Sequence, residues 1–209
     1  MNIRLTSLTR VLPVHCVALG ALILSSAGLA HDAKEHAAHM AKAATAGYQR
    51  SERAYSIPDV TLIDADGRPV QLRKLLATQD PVMMNFIFTT CGAICPVMSK
   101  VFSEVPSSLG VQAGKLRMIS ISIDPENDTP AKLKSYAKTY GATARWTFLT
   151  GRVADVKAIQ LAFDTYRGDK MNHEPATLLH PAPDKAWVRI DGFASSDELA
   201  REYRKLTQP

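Results

Sequence analysis

Hydrophobic and polar positions alternate along this chain with two different periods. Residues 82–88 are a mostly apolar run, as expected of a strand covered on both faces, and residues 116–123 read as a second buried strand. Between them, Pro96, Val97, Val101, Phe102 and Val105 fall at helical spacing, with Cys95 as the expected N-cap and Pro106 expected to end or kink the helix. Asp128-Thr129-Pro130 reads as a helix cap with proline at its first position. Leu133, Tyr136, Ala137 and Tyr140 then form a stripe that stops at Gly141. A short strand is predicted at residues 146–149 and a helix at 153–163. Residues 177–179 and 187–190 make two strands joined by a proline-rich turn, and Ser195 with Glu198 signals a capping box for a last helix. Ahead of all this, residues 57–63 and 70–72, separated by Asp64-Ala65-Asp66-Gly67, predict a hairpin. Strands alternating with helices, then a hairpin and a helix, predict an α/β fold with a mixed sheet.

The N-terminus follows a different pattern. Residues 1–10 carry Arg4 and Arg10 and no acid, residues 11–26 are apolar, and small residues run up to Ala30. That order reads as a secretory signal, residues 1–30, with cleavage after Ala30; the alternative is a retained membrane anchor, disfavoured by Pro13 and His15. Residues 31–55 are polar and Ala-rich, with His31, His36, His39 and Met40, and read as a flexible tail before a domain at 56–209.

Composition adds exclusions. With 46% apolar residues, 22% charged and 11 Gly plus 12 Pro in 209 residues, the chain is neither collagen-like nor disordered and can build a core. Of its net charge of +5, Arg4 and Arg10 in residues 1–30 supply +2 with no acid beside them, and in the rest Lys and Arg are interleaved with acids, without the basic stripe of a nucleic-acid footprint.

Cysteine carries the candidate chemistry. Of 3 cysteines, Cys16 lies in the export signal and leaves with it, so the mature chain keeps Cys91 and Cys95 in an oxidising compartment. They sit between a central strand and a helix, at the carboxyl end of a strand, where open α/β sheets place their sites. Unpaired N–H groups and the positive end of the helix dipole favour thiolate there, and Gly92 is expected to let the loop fold back. A structural disulfide closing so short a loop would contribute only ~2 kcal/mol. A redox-active dithiol and a soft-metal site for copper both fit the pair.

Phe86-Ile87-Phe88-Thr89-Thr90-Cys91-Gly92-Ala93-Ile94-Cys95-Pro96 resembles the Cys-x-x-x-Cys-Pro motif of the Sco/SenC family, whose members have a thioredoxin-like fold. Ser122-Ile123-Asp124-Pro125-Glu126-Asn127-Asp128-Thr129-Pro130 with Leu133 and Tyr136, Leu149-Thr150-Gly151, and Asn172-His173 before a hairpin extend the resemblance over residues 57–206. It implies a periplasmic copper metallochaperone that binds Cu(I) or Cu(II) through Cys91, Cys95 and His173. The implied partner is the copper subunit of cytochrome c oxidase, whose CuA centre it helps assemble, or another periplasmic copper chaperone. It also implies outer-shell positions for Asp124 and Asp128, whose plain reading is strand-end and helix-cap chemistry. The chain departs from the family at Gly92, where proline is common, and at Asn172, where aspartate is usual.

His31, His36 and His39 form a candidate auxiliary copper tract. His180, at a turn, reads as structural, and Met83, Met84, Met98 and Met118 as core. The alternative function is a thiol–disulfide oxidoreductase. In such enzymes a cis-proline faces the cysteine pair just before the equivalent strand, the place of Pro175 here. A peroxidase of the peroxiredoxin type is disfavoured, because Phe88 stands where it needs a threonine.

Overall fold

In the computed structural model, residues 47–207 are described. The expected export signal with Cys16, and the tract of His31, His36 and His39, lie outside them. Strand β1 (Tyr48–Arg53) precedes the hairpin β2 (Thr61–Asp64) and β3 (Pro69–Gln71), which leads into a short helix α1 (Leu72–Leu76). The body follows as β4 (Val82–Ile87), α2 (Ile94–Leu109), β5 (Arg117–Ser122), α3 (Pro130–Thr139), β6 (Trp146–Thr150), α4 (Val153–Ala162), β7 (Ala176–His180), β8 (Trp187–Gly192) and α5 (Ser196–Thr207).

The strands form one eight-stranded sheet in the order β1-β8-β7-β4-β5-β6-β2-β3. β4, β5 and β6 are parallel neighbours joined through helices, whereas β7, β8, β1 and the β2–β3 hairpin pair antiparallel. This is the mixed α/β sheet that the alternating pattern predicts. All six positions of β4 are buried, as befits a central strand. Its one polar residue, Asn85, is reached through Oδ1 by a chain crossing three strands, and its buried Nδ2 has no hydrogen-bond partner: Trp146 Nε1 donates to Ser120 Oγ at 2.9 Å, and Ser120 donates to Asn85 Oδ1 at 2.7 Å. That chain fits only one register. Met83, Met84, Met98 and Met118 are all in the core. His180 stacks on Trp187 with ring centroids 4.2 Å apart, the structural role expected.

Three expectations need correction. Residues 48–53, read as the end of a tail, form a strand paired with β8 along its whole length, from Tyr48 opposite Gly192 to Arg53 opposite Trp187. The buried Glu202 of α5 holds it, accepting from Tyr48 Oη at 2.9 Å and Arg50 Nε at 3.0 Å. Pro106 does not end α2, because Val105 and Leu109 on either side are both buried and packing outweighs one lost backbone bond. Leu72, read as the end of a strand, instead opens the short helix α1. Among the described residues no helix is long and apolar enough to cross a membrane.

Candidate metal centre

The candidate centre lies where β4 runs out. β4 is held by β5 on one side and β7 on the other, and after Ile87 the chain leaves the sheet through Phe88 and Thr89. Two contacts shape the exit. The Cys91 N–H donates to the Phe88 carbonyl at 3.1 Å, and Thr89 is tied to Asp128, its N–H at 3.1 Å and its Oγ1 at 2.5 Å. Asp128 is fully buried and also accepts from Ser122 Oγ at 2.6 Å.

Cys95 is not the N-cap of α2. Ala93 occupies that place without a capping side chain, and Cys95 is the second helical residue, with Pro96 the third. Proline is tolerated there because the first-turn N–H groups have no partner inside the helix. One of those free groups is used by sulfur: the Cys95 N–H donates to Cys91 Sγ at 3.3 Å. Gly92 has an ordinary φ, and a Cβ built there meets nothing within 4 Å, so the loop does not need glycine.

Both thiols are free, Cys91 half-buried and Cys95 buried. Their proton affinities are pushed apart. The hydrogen bond from the Cys95 thiol, backed by the N–H groups of Cys95, Ala93 and Ile94, brings Cys91 down to about 5. That same bond to Cys91, together with burial, pushes the Cys95 thiol up. Cys91 is thus the more acidic sulfur of the pair and Cys95 the less acidic.

His173 reaches this end of the sheet on the segment between α4 and β7. Buried Arg189 fixes the start of that segment, donating to the carbonyls of Phe163 at 2.6 Å and Asp164 at 3.2 Å, where Asp164 takes φ 52°. A 3-10 turn (Lys170–Asn172) then delivers His173, with Asp169 accepting from the Met171 N–H at 2.8 Å. The ring is buried, and its Nε2 lies 3.0 Å from the Phe86 carbonyl, one residue past the last β4–β7 pair, Asn85 opposite Thr177. A carbonyl can only accept, so Nε2 carries the proton and Nδ1 keeps its lone pair. Burial lowers the pKa of the imidazole and keeps it neutral, the form that binds metal.

The structure therefore brings Cys91 and Cys95 together and leaves His173 apart, turned onto β4. Among the described residues, no group of three His, Cys, Asp or Glu side chains is arranged to hold a metal ion. Asp124 and Asp128, from the loop after β5, each grip one side of the centre. Asp128 holds Thr89 of the cysteine loop, and Asp124 accepts from Lys170 of the histidine turn. Lys170 and Arg189 escaped the sequence reading because their partners lie far away along the chain. The Glu174–Pro175 bond is trans, not the cis form open on sequence grounds.

The donor set suits a soft cation: two adjacent cysteine sulfurs and a neutral imidazole on a short turn. The SCO1/SenC family profile matches residues 49–208. The chain belongs to that family. Within it, the SCO1 protein homolog of Bacillus subtilis is 37% identical over 98 residues, which is 46% of this SCO1/SenC chain and 50% of the relative. The solved structure of BsSco, described as a member of the Sco family of cytochrome c oxidase assembly proteins with a disulfide switch, superimposes with a TM-score of 0.63 at 27% identity, covering 75% of this chain and 95% of that one. The copper-bound ScoI of Bradyrhizobium japonicum superimposes with a TM-score of 0.57 at 25% identity, covering 70% and 96%. The match runs from β1 through α5, so the strand hidden in the supposed tail is part of the family domain.

Proposed function

We propose that this SCO1/SenC chain is an exported copper carrier that takes copper on Cys91, Cys95 and His173 and hands it on during assembly of cytochrome c oxidase. The observation that carries the reading is the pair of free thiols at the end of β4, with the Cys95 N–H on Cys91 Sγ at 3.3 Å. Cys91 offers a thiolate at neutral pH, and Cys95 gives up its proton only when a cation replaces it as the partner of Cys91. Copper capture therefore releases a proton, and the two sulfurs hold a soft ion that His173 completes. Release to an acceptor follows by ligand exchange, each incoming thiolate or imidazole displacing one of these donors. Export is supported by the charged, apolar and small-residue order of residues 1–30. The copper-bound ScoI of Bradyrhizobium japonicum and the oxidase-assembly role stated for BsSco support the cargo and the destination.

An anaerobic Cu(I) titration of the reduced protein against a competing chelator tests this. One tight equivalent is expected, weakened at least about ten-fold in His173→Ala. Equal affinity in the variant would remove His173 from the ligand set, and no binding in the parent protein would end the reading.

The same thiol pair favours a second activity. Cys91 thiolate can attack a partner's disulfide, forming a Cys91–partner bond and releasing the partner's other sulfur as thiolate. That thiolate takes the Cys95 proton, and Cys95 then attacks Cys91, leaving a Cys91–Cys95 disulfide and a fully reduced partner. Because Cys91 is the attacking sulfur, Cys95→Ser is the variant expected to trap the mixed disulfide.

A further inference from the structure

Lys170 takes part in no step described so far, yet it fixes the element that carries His173. The turn is internally stiff. The His173 N–H donates to the Lys170 carbonyl at 3.1 Å, the Asn172 N–H to the Asp169 carbonyl at 3.1 Å, and the Met171 N–H to Asp169 Oδ1 at 2.8 Å. Any displacement of Lys170 thus carries His173 with it.

The Lys170 side chain is anchored outside the turn. Its Nζ donates to Asp124 Oδ2 at 2.5 Å and lies 5.7 Å from the centroid of the Phe88 ring. Asp124 is 4% exposed and held in turn: Asn127 Nδ2 donates to both its oxygens at 2.9 and 3.1 Å, and its own N–H donates to Ser122 Oγ, which donates to Asp128. Lys170 is therefore fastened to the same loop that pins the cysteine exit. Meanwhile the His173 ring uses its Nε2–H on the Phe86 carbonyl. A cavity of about 50 Å³ separates the turn, from Arg167 to Lys170 and His173, from Ile123, Gln160 and Thr165.

We infer that the Lys170–Asp124 ion pair is a latch that keeps His173 on the Phe86 carbonyl in the copper-free protein, which makes Lys170 a positioning residue of the copper site. The inference rests on the three-ligand reading above. While the latch is closed, Cys91 and Cys95 can capture copper but His173 cannot join them. The apparent affinity is reduced by the fraction of molecules whose turn is closed, and weakening the latch restores it, acting only through His173.

The test is Cu(I) competition on Lys170→Leu and Lys170→Arg, each in the parent and the His173→Ala backgrounds. It is read beside the NMR signal of the His173 Nε2–H in the copper-free protein. Lys170→Leu is expected to tighten Cu(I) about three- to ten-fold and to speed exchange of the Nε2–H with water, whereas Lys170→Arg keeps the pair and stays near the parent. The gain should vanish when His173 is alanine. Unchanged or weaker binding in Lys170→Leu, or a gain that survives His173→Ala, overturns the latch. If Lys170→Leu does not fold, Asp124→Asn is expected to act in the same direction, and no gain there overturns the latch equally. His173→Ala alone reports on the three-ligand reading: if it weakens Cu(I) while the latch variants change nothing, the latch fails and the ligand set stands.

Discussion

Cys91 and Cys95 share one helix N-terminus and differ in what surrounds each sulfur. Cys91 collects hydrogen bonds from Cys95 and the loop amides, while Cys95 is buried against a neighbouring negative charge. Iodoacetamide should therefore alkylate Cys91 first. A lowered pKa means that the reactive thiolate persists above it, so the Cys91 rate should hold from neutral pH down to about 5 and fall only below that. In Cys95→Ala the main donor is lost, and the midpoint of this profile should move up. Mass spectrometry of the labelled site against pH checks both. Gly92→Ala gives the opposite kind of result: with an ordinary φ and open space around it, the change is expected to leave stability unaltered or raise it by up to ~1 kcal/mol. The cysteine site was legible because four-residue spacing, Pro96 and the apolar run before it are all local. The placement of His173 was not, since its partner is a backbone carbonyl 87 positions away.

Among the elements, β1 shows what a periodic reading misses. Its sequence, YQRSER, has no apolar alternation, and among the described residues no strand pairs with its outer edge. Charged residues on such an edge discourage further pairing. What makes it a strand is the backbone ladder to β8 and one carboxylate on α5. Burial alone would raise the Glu202 pKa, but hydrogen bonds from Lys205, Tyr48 and Arg50 outweigh it and hold the carboxyl below its ordinary 4.5. The stability this gives is fully present above that ordinary value and is lost as pH falls through the lowered one. Glu202→Gln should cost about 1–3 kcal/mol in denaturant unfolding, with faster hydrogen exchange confined to β1 and β8. Unchanged β1 protection would show that the ladder holds the strand without Glu202. By contrast, α3 was fully legible, because Thr129 caps it, Pro130 opens it and Gly141, at φ 62°, ends it.

For the whole molecule, the sheet gathers three chain segments at one end of β4. The cysteine loop leaves β4 directly, the histidine turn enters β7 beside it, and the loop after β5 reaches both through Asp128 and Asp124. The strand–helix order made this architecture readable, but the cross-loop bonds span dozens of positions and leave no periodic trace. Asp128→Ala strips the buried acceptor from Thr89 and Ser122, and a loss of at least about 2 kcal/mol is expected, together with weaker copper binding as the cysteine loop loosens. Denaturant midpoints and the chelator titration measure the two effects. Copper K-edge X-ray absorption on the reduced, Cu(I)-loaded protein and on its His173→Ala variant tests the proposed copper ligands most directly. The expected result is two sulfur neighbours and one nitrogen in the parent, with the nitrogen lost in the variant. A parent spectrum with sulfur alone, or a nitrogen that survives the substitution, would contradict the assignment of Cys91, Cys95 and His173.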